Sequence, residues 1–124
     1  MLVIDTDVLI DYLRGLRAAA EFMKSRNEPM SVSSIGVAEL YAGVREGRER
    51  AVLEAFCAAF EIIPVTAALA QTGGLWRRDY GPSHGVGLAD AIIAATAVEQ
   101  AATLVTLNHR HYPMVRNLLI PYAK

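Results

Sequence analysis

Apolar and polar positions alternate along the chain in blocks that switch repeatedly between two periods. Leu2-Val3-Ile4 is a short apolar run ended by Asp5, as suits a buried parallel strand, and Val8, Leu9, Tyr12 and Leu13 then recur at helical spacing. A helix is expected over Arg17 to Arg26, Glu28-Pro29 breaks it, and Met30-Ser31-Val32 gives a second strand. Ser33-Ser34 can cap the helix that carries Ile35, Val37, Ala38, Leu40, Tyr41 and Val44. Gly47 interrupts it. A further helix is expected from about Arg48 to Phe60, then a strand over Glu61-Ile62-Ile63-Pro64-Val65. Thr66 caps a helix reaching about Tyr80, and Gly81 to Gly87 is expected to be a loop. Leu88 to Ala101 is helical and apolar on nearly every side, Thr103 to Thr106 is a strand, and Leu118-Leu119-Ile120 is a last short one.

Strands alternating with helices predict an α/β fold, a central parallel sheet covered on both faces. In such sheets the working crevice lies outside the carboxyl ends of the strands, where strand order reverses. Asp5, Ser33, Ser34 and the stretch from Thr106 to Asn108 are thereby candidate neighbours of one crevice. No repeat or linker interrupts the pattern, so a single domain over residues 1–124 is expected.

Composition narrows the classes. At 124 residues and 53% hydrophobic, with 12 basic against 13 acidic side chains, the chain can build a core and is not of disordered type. Its longest uncharged apolar stretch, Ile62 to Trp76, is interrupted and falls short of the roughly 20 residues a span needs, so no membrane association is expected. The N-terminus has no export-signal pattern, which predicts a cytoplasmic protein. Cys57, the lone cysteine, sits in an apolar helical stretch as a core residue. Ten of the twelve basic residues are arginine, the phosphate-reading cation. Arg45, Arg48 and Arg50, interleaved with Glu46, Glu49 and Glu54, form a solvated ion-paired surface instead.

Three carboxylates stand out. Glu39 has Ile35, Gly36, Ala42 and Gly43 as its helical neighbours, none of them charged, so it points at a site or occupies a polar edge of a buried helix. Asp90 has the same character among Leu88, Ala89, Ala91, Ile92 and Ile93, with a helix cap as the alternative. Asp5 can cap a helix and serve a site at once. Asp7 and Asp11 read as first-turn dipole partners and surface charge. Were Asp5, Glu39 and Asp90 to meet, each pair about 4 Å apart would repel by roughly 4 kcal/mol at an effective dielectric near 20. Three such anions need a cation, and hard oxygen donors match Mg²⁺ or Mn²⁺ rather than zinc. A metal so held binds phosphate oxygens and activates water, which predicts phosphoester hydrolysis.

The blocks Val3-Ile4-Asp5-Thr6-Asp7-Val8-Leu9-Ile10-Asp11, Val37 to Gly43, Ala89 to Ala97 and Leu104 to Asn108, in that order, resemble the PIN-domain ribonucleases, in particular VapC-type toxins of toxin–antitoxin pairs. The resemblance implies a three-layer α/β/α domain with a short parallel sheet, Asp5, Glu39 and Asp90 as catalytic metal-binding acids, and Mg²⁺- or Mn²⁺-dependent endonucleolytic cleavage of RNA. It further implies a homodimer silenced by a VapB-like antitoxin whose tail, with a basic side chain, fills the site. Thr6, Asp7, Thr106, Asn108, Arg110 and His111 become candidates for supporting the acids or binding substrate, with Arg116 also a candidate for RNA phosphate. One position departs from the pattern. Many relatives carry a further Asp three residues after the asparagine matching Asn108, and here His111 stands there. The imidazole can hydrogen-bond water or phosphate without replacing an anion, which puts a second metal in doubt.

Two rival functions remain open on the sequence. Val3-Ile4-Asp5-Thr6-Asp7-Val8 also resembles the opening of haloacid-dehalogenase-type phosphatases, which need a downstream lysine and a later acidic pair; only Lys24 and Lys124 exist, and Asp79 and Asp90 stand alone. A PIN-like module that binds RNA or protein without cutting is the other.

Overall fold

The computed structural model describes residues Met1–Lys124. Five strands, β1 (Leu2–Ile4), β2 (Met30–Ser33), β3 (Glu61–Ile63), β4 (Thr103–Val105) and β5 (Leu118–Leu119), form one sheet in the order β3-β2-β1-β4-β5, with every neighbouring pair parallel. The chain winds outward from β1 in one direction through β2 and β3, then returns to its other side through β4 and β5. Six helices cover the sheet: α1 (Thr6–Leu13), α2 (Arg17–Ser25), α3 (Ser34–Ala42), α4 (Arg48–Ala59), α5 (Ala67–His84) and α6 (Leu88–Glu99).

Strand alternation splits the core in two. Val3 and Leu104 point to one face, where they pack with Ile93, Ala94 and Ala97 of α6 and with Val86, Tyr112 and Val115. Leu2, Ile4, Val32 and Val105 point to the other, against Val8 and Leu9 of α1, Phe22 of α2, Leu40 of α3, and Leu53 and Phe56 of α4. The inner strands β1, β2 and β4 are largely buried, as a parallel sheet between helical layers demands, while the edge strands β3 and β5 are partly exposed. The expected three-layer α/β/α architecture is the one found. Cys57 lies half-buried at the margin of α4.

The α5–α6 pair packs closest at Gly73, where an added Cβ would fall 3.0 Å from the Ile92 Cα. That contact seats α6, and α6 carries Asp90 at its first turn.

Helix α5 corrects the expected loop over Gly81 to Gly87. It runs on through Gly81, Pro82 and Ser83 to His84. Pro82 costs the helix one N–H bond and crowds the carbonyl of Arg78 one turn back, yet α5 continues past it by a residue or two; the true stop is Gly85, in the left-handed conformation at φ 70° with its N–H on the Gly81 carbonyl. Only Gly85 to Gly87 link the two helices. Strand β3 likewise ends before Pro64, and α6 stops at Glu99, with Ala101 in the left-handed region at φ 51°.

Candidate active site

The strand order reverses at β1, which has β2 on one side and β4 on the other. Asp5 follows β1 and Thr106 follows β4, and the register Ile4↔Val105 sets them side by side at the carboxyl end of the sheet. Asp5 caps α1 in extended conformation, with its Oδ1 accepting from the Thr6 N–H at 2.8 Å. Its Oδ2 accepts from the Thr106 hydroxyl at 2.8 Å and from the Tyr112 hydroxyl at 2.8 Å. Only 3% of Asp5 is exposed. Burial, reinforced by the Asp7 charge, pushes its carboxyl up to about 7; the Tyr112 and Thr106 bonds pull it down, and the Asp90 charge adds to the rise.

Asp7 contradicts its reading as surface charge. It is half-buried, and its Oδ1 accepts from the Val8 N–H while its Oδ2 accepts from the Leu107 N–H at 3.0 Å and the Asn108 side-chain amide at 3.1 Å. The Thr106 hydroxyl lies 3.4 Å from the same oxygen, but its one proton serves the shorter bond to Asp5. Burial raises Asp7 above the ordinary carboxylate range, and its backbone hydrogen bonds oppose the rise. Asp7 therefore ties α1 to the loop after β4. Asp11 is also no surface charge: 8% exposed, it accepts from the Tyr122 hydroxyl at 2.8 Å and the Lys124 ammonium at 2.9 Å. It anchors the C-terminal segment and takes no part in the crevice.

Glu39 lies exposed on α3, tied to α1 by the Thr6 hydroxyl, which donates to its Oε1 at 2.8 Å. Gly36 makes that approach possible, since a Cβ there would meet the Thr6 hydroxyl at 3.3 Å. Beside Glu39 runs an apolar groove lined by Ile10, Leu13, Leu40, Val44 and Leu53, with Arg14 and Glu49 at its edge. Asp90, half-buried in the first turn of α6, accepts a long bond from the Gly87 N–H at 3.4 Å, so the capping alternative describes part of its role. His111 Nδ1 lies 4.0 Å from Asp90 Oδ2.

The fold thus brings Asp5, Asp7 and Asp90 into electrostatic reach of one another and links Glu39 to them through Thr6. As they stand, no three carboxylate or imidazole side chains encircle one ion position; each acid is held by donors of its own. No lysine or arginine pairs with any of the four. Hard oxygen donors with uncompensated charge fit a hard divalent cation. Asn108, Arg110 and His111 border a depression with Leu107 and His109 beside these acids. Arg116 is elsewhere: because β5 is parallel to β4, the chain must return to the amino end of the sheet before Leu118, and Arg116 lies there with Ala101 and Ala102. The lysine that a haloacid-dehalogenase site requires is missing, since Lys124 bonds Asp11 and Lys24 lies exposed on α2.

Sequence reasoning missed Tyr112. Its ring is 1% exposed in the core while its hydroxyl reaches Asp5 across 107 positions, a pairing that no local pattern marks.

The chain belongs to the PIN domain family, whose profile matches residues 2–116. Its similarity is to two proteins of Mycobacterium tuberculosis: Ribonuclease VapC10 at 40% identity, covering 99% of this chain and 94% of that protein, and Ribonuclease VapC19 at 43%, covering 98% and 100%. Among solved structures it resembles a toxin–antitoxin complex from Klebsiella pneumoniae, with TM-score 0.83, 25% identity and 98% of both chains covered. FitAcB from Neisseria gonorrhoeae follows, with TM-score 0.75, 27% identity and the same coverage. VapBC2 from Rickettsia felis, bound to a DNA fragment from its promoter, gives TM-score 0.74 at 25% identity over 95% of each chain.

Proposed function

We propose that this chain is a divalent-metal-dependent endoribonuclease, the toxin of a type II toxin–antitoxin pair. The carrying observation is a buried, uncompensated Asp5 at the point of strand reversal in a PIN-family chain, with Asp90 and the Thr6-linked Glu39 beside it. Asp5, Glu39 and Asp90 are the residues that would hold Mg²⁺ or Mn²⁺, which when bound supplies charge for phosphate oxygens and lowers the pKa of water. Thr106 and Tyr112 orient Asp5, and Thr6 orients Glu39. Asp7 accepts from the Leu107 N–H and the Asn108 side-chain amide and so fixes the start of this loop, from which Asn108, Arg110 and His111 present donors to RNA phosphate. The reaction is hydrolysis of a phosphodiester bond.

The partner is a VapB-like antitoxin. The apolar groove ending at Glu39 suits the apolar side chains of its tail, and a basic tail residue would neutralise the acids. A homodimer in the cytoplasm is what the family resemblance implies for the active form. Separately, no helix is long and apolar enough to cross a membrane.

The test incubates purified protein with mixed RNA in Mg²⁺ or Mn²⁺ against chelator, beside Asp5→Asn. Chelation and Asp5→Asn are each expected to cut cleavage by at least about 100-fold, since a Lewis-acid metal contributes several kcal/mol. Cleavage that survives both overturns the proposal. Absence of cleavage across a broad RNA panel favours the non-cutting binding module.

A further inference from the structure

Tyr112 stands immediately after the 3₁₀ turn His109–His111, with its ring in the core formed by Val3, Val86, Ile93 and Leu104. An aromatic ring needs no hydroxyl to fill that position, and phenylalanine would bury the same surface without a polar atom to satisfy. The hydroxyl donates to Asp5 Oδ2 at 2.8 Å, an oxygen that already accepts from Thr106 at 2.8 Å. Each carboxylate oxygen has two lone-pair directions. Oδ2 is therefore saturated, whereas Oδ1, which accepts only the Thr6 N–H, keeps one direction free. Resting on the metal reading above, we infer that Tyr112 is a positioning residue that, with Thr106, closes Oδ2 of Asp5 and leaves Oδ1 as its single metal-binding atom. Bidentate binding would require breaking one of two short bonds in a buried place.

The hydroxyl is a dependable donor there, since a phenol keeps its proton at neutral pH. It also stabilises the carboxylate form that a cation needs. Tyr112 thus acts through Asp5 and touches neither ion nor RNA.

Free Mn²⁺ in titrations of the metal-free protein, read by electron paramagnetic resonance, separates this role from packing. Tyr112→Phe keeps the ring, and loss of an outer hydrogen bond to a metal ligand is expected to weaken Mn²⁺ binding about 10-fold or more. At saturating Mn²⁺ its kcat should return to within about threefold of wild type, while the metal concentration for half-activation rises. For a residue that only packs, phenylalanine is an equal filler and Mn²⁺ affinity would stay within twofold of wild type; that result overturns the inference. Wild-type protein that binds no Mn²⁺ instead overturns the metal reading on which it rests.

A second measurement needs no change at position 112. In protein labelled at the tyrosine Cζ carbon, with the other four tyrosines replaced by phenylalanine one at a time for assignment, the Tyr112 signal should broaden first with substoichiometric Mn²⁺. It should also shift in Asp5→Asn. A signal indifferent to both overturns the inference.

Discussion

The molecule handles charge in two opposite ways. At the start of α4, Arg50 lies between Glu46, just before the helix, and Glu54 at 2.8 and 3.0 Å, with all three side chains about half or more exposed. Each charge there has a counter-charge and water. At the carboxyl end of β1, Asp5 is nearly buried beside Asp7 and within reach of Asp90, with no lysine or arginine paired to any of them. Water does most of the stabilising on α4, so its pairs contribute little to folding. In the crevice folding keeps anions from water at a cost in stability, the arrangement expected of a site that binds a cation.

The largest expected effect concerns pH. With Asp5 raised from 3.8 to about 7, the folded state holds its proton more tightly than the unfolded state. The associated stability is fully present below pH 3.8 and is lost as pH rises through about 7, amounting to at most about 4 kcal/mol. Denaturation of metal-free protein at several pH values, with Asp5→Asn subtracted to isolate this group, should show that decline. A flat difference between the two proteins would erase the contrast with α4.

Asp7→Ala comes next. It leaves the Leu107 N–H and the Asn108 amide without their acceptor, for an expected loss of about 2 kcal/mol in urea denaturation. Relief of repulsion on Asp5 offsets part of that cost, so Asp7→Ala should cost more in an Asp5→Asn background than in the wild type. Thr6→Val tests the link to Glu39: its shape is kept and its stability should move by less than about 1 kcal/mol, while Mn²⁺ affinity falls about 10-fold in calorimetry. The smallest effect belongs to α4, where Glu54→Gln should move Tm by about 2 °C or less, and less still at high salt.

Much of this was legible in the residues. The strands at Leu2–Ile4 and Thr103–Val105, the alternation with helices and the prominence of Glu39 among uncharged neighbours all follow from spacing within one or two turns. The expected loop over Gly81 to Gly87 fails because glycine and proline speak against a helix on average, whereas here α5 carries both and stops only at the left-handed Gly85. Asp7 does lie in the first turn of α1 and does support the crevice, but its burial, like that of Asp11, escapes a local reading for a different reason. Near a helix start an aspartate satisfies local rules by capping or dipole, and nothing nearby reports that Leu107 or Tyr122 will arrive to cover it.

Local periodicity determined by itself the order of elements, the parallel sheet and the acids available for chemistry, because helix and strand propensities act over three to five neighbours. Only the tertiary structure decided which oxygen of Asp5 is free, that Tyr112 supplies a hydroxyl to it, and that Arg116 lies at the far end of the sheet. Those facts depend on contacts between residues about 100 positions apart and on the direction of β5, which are settled by how the layers pack.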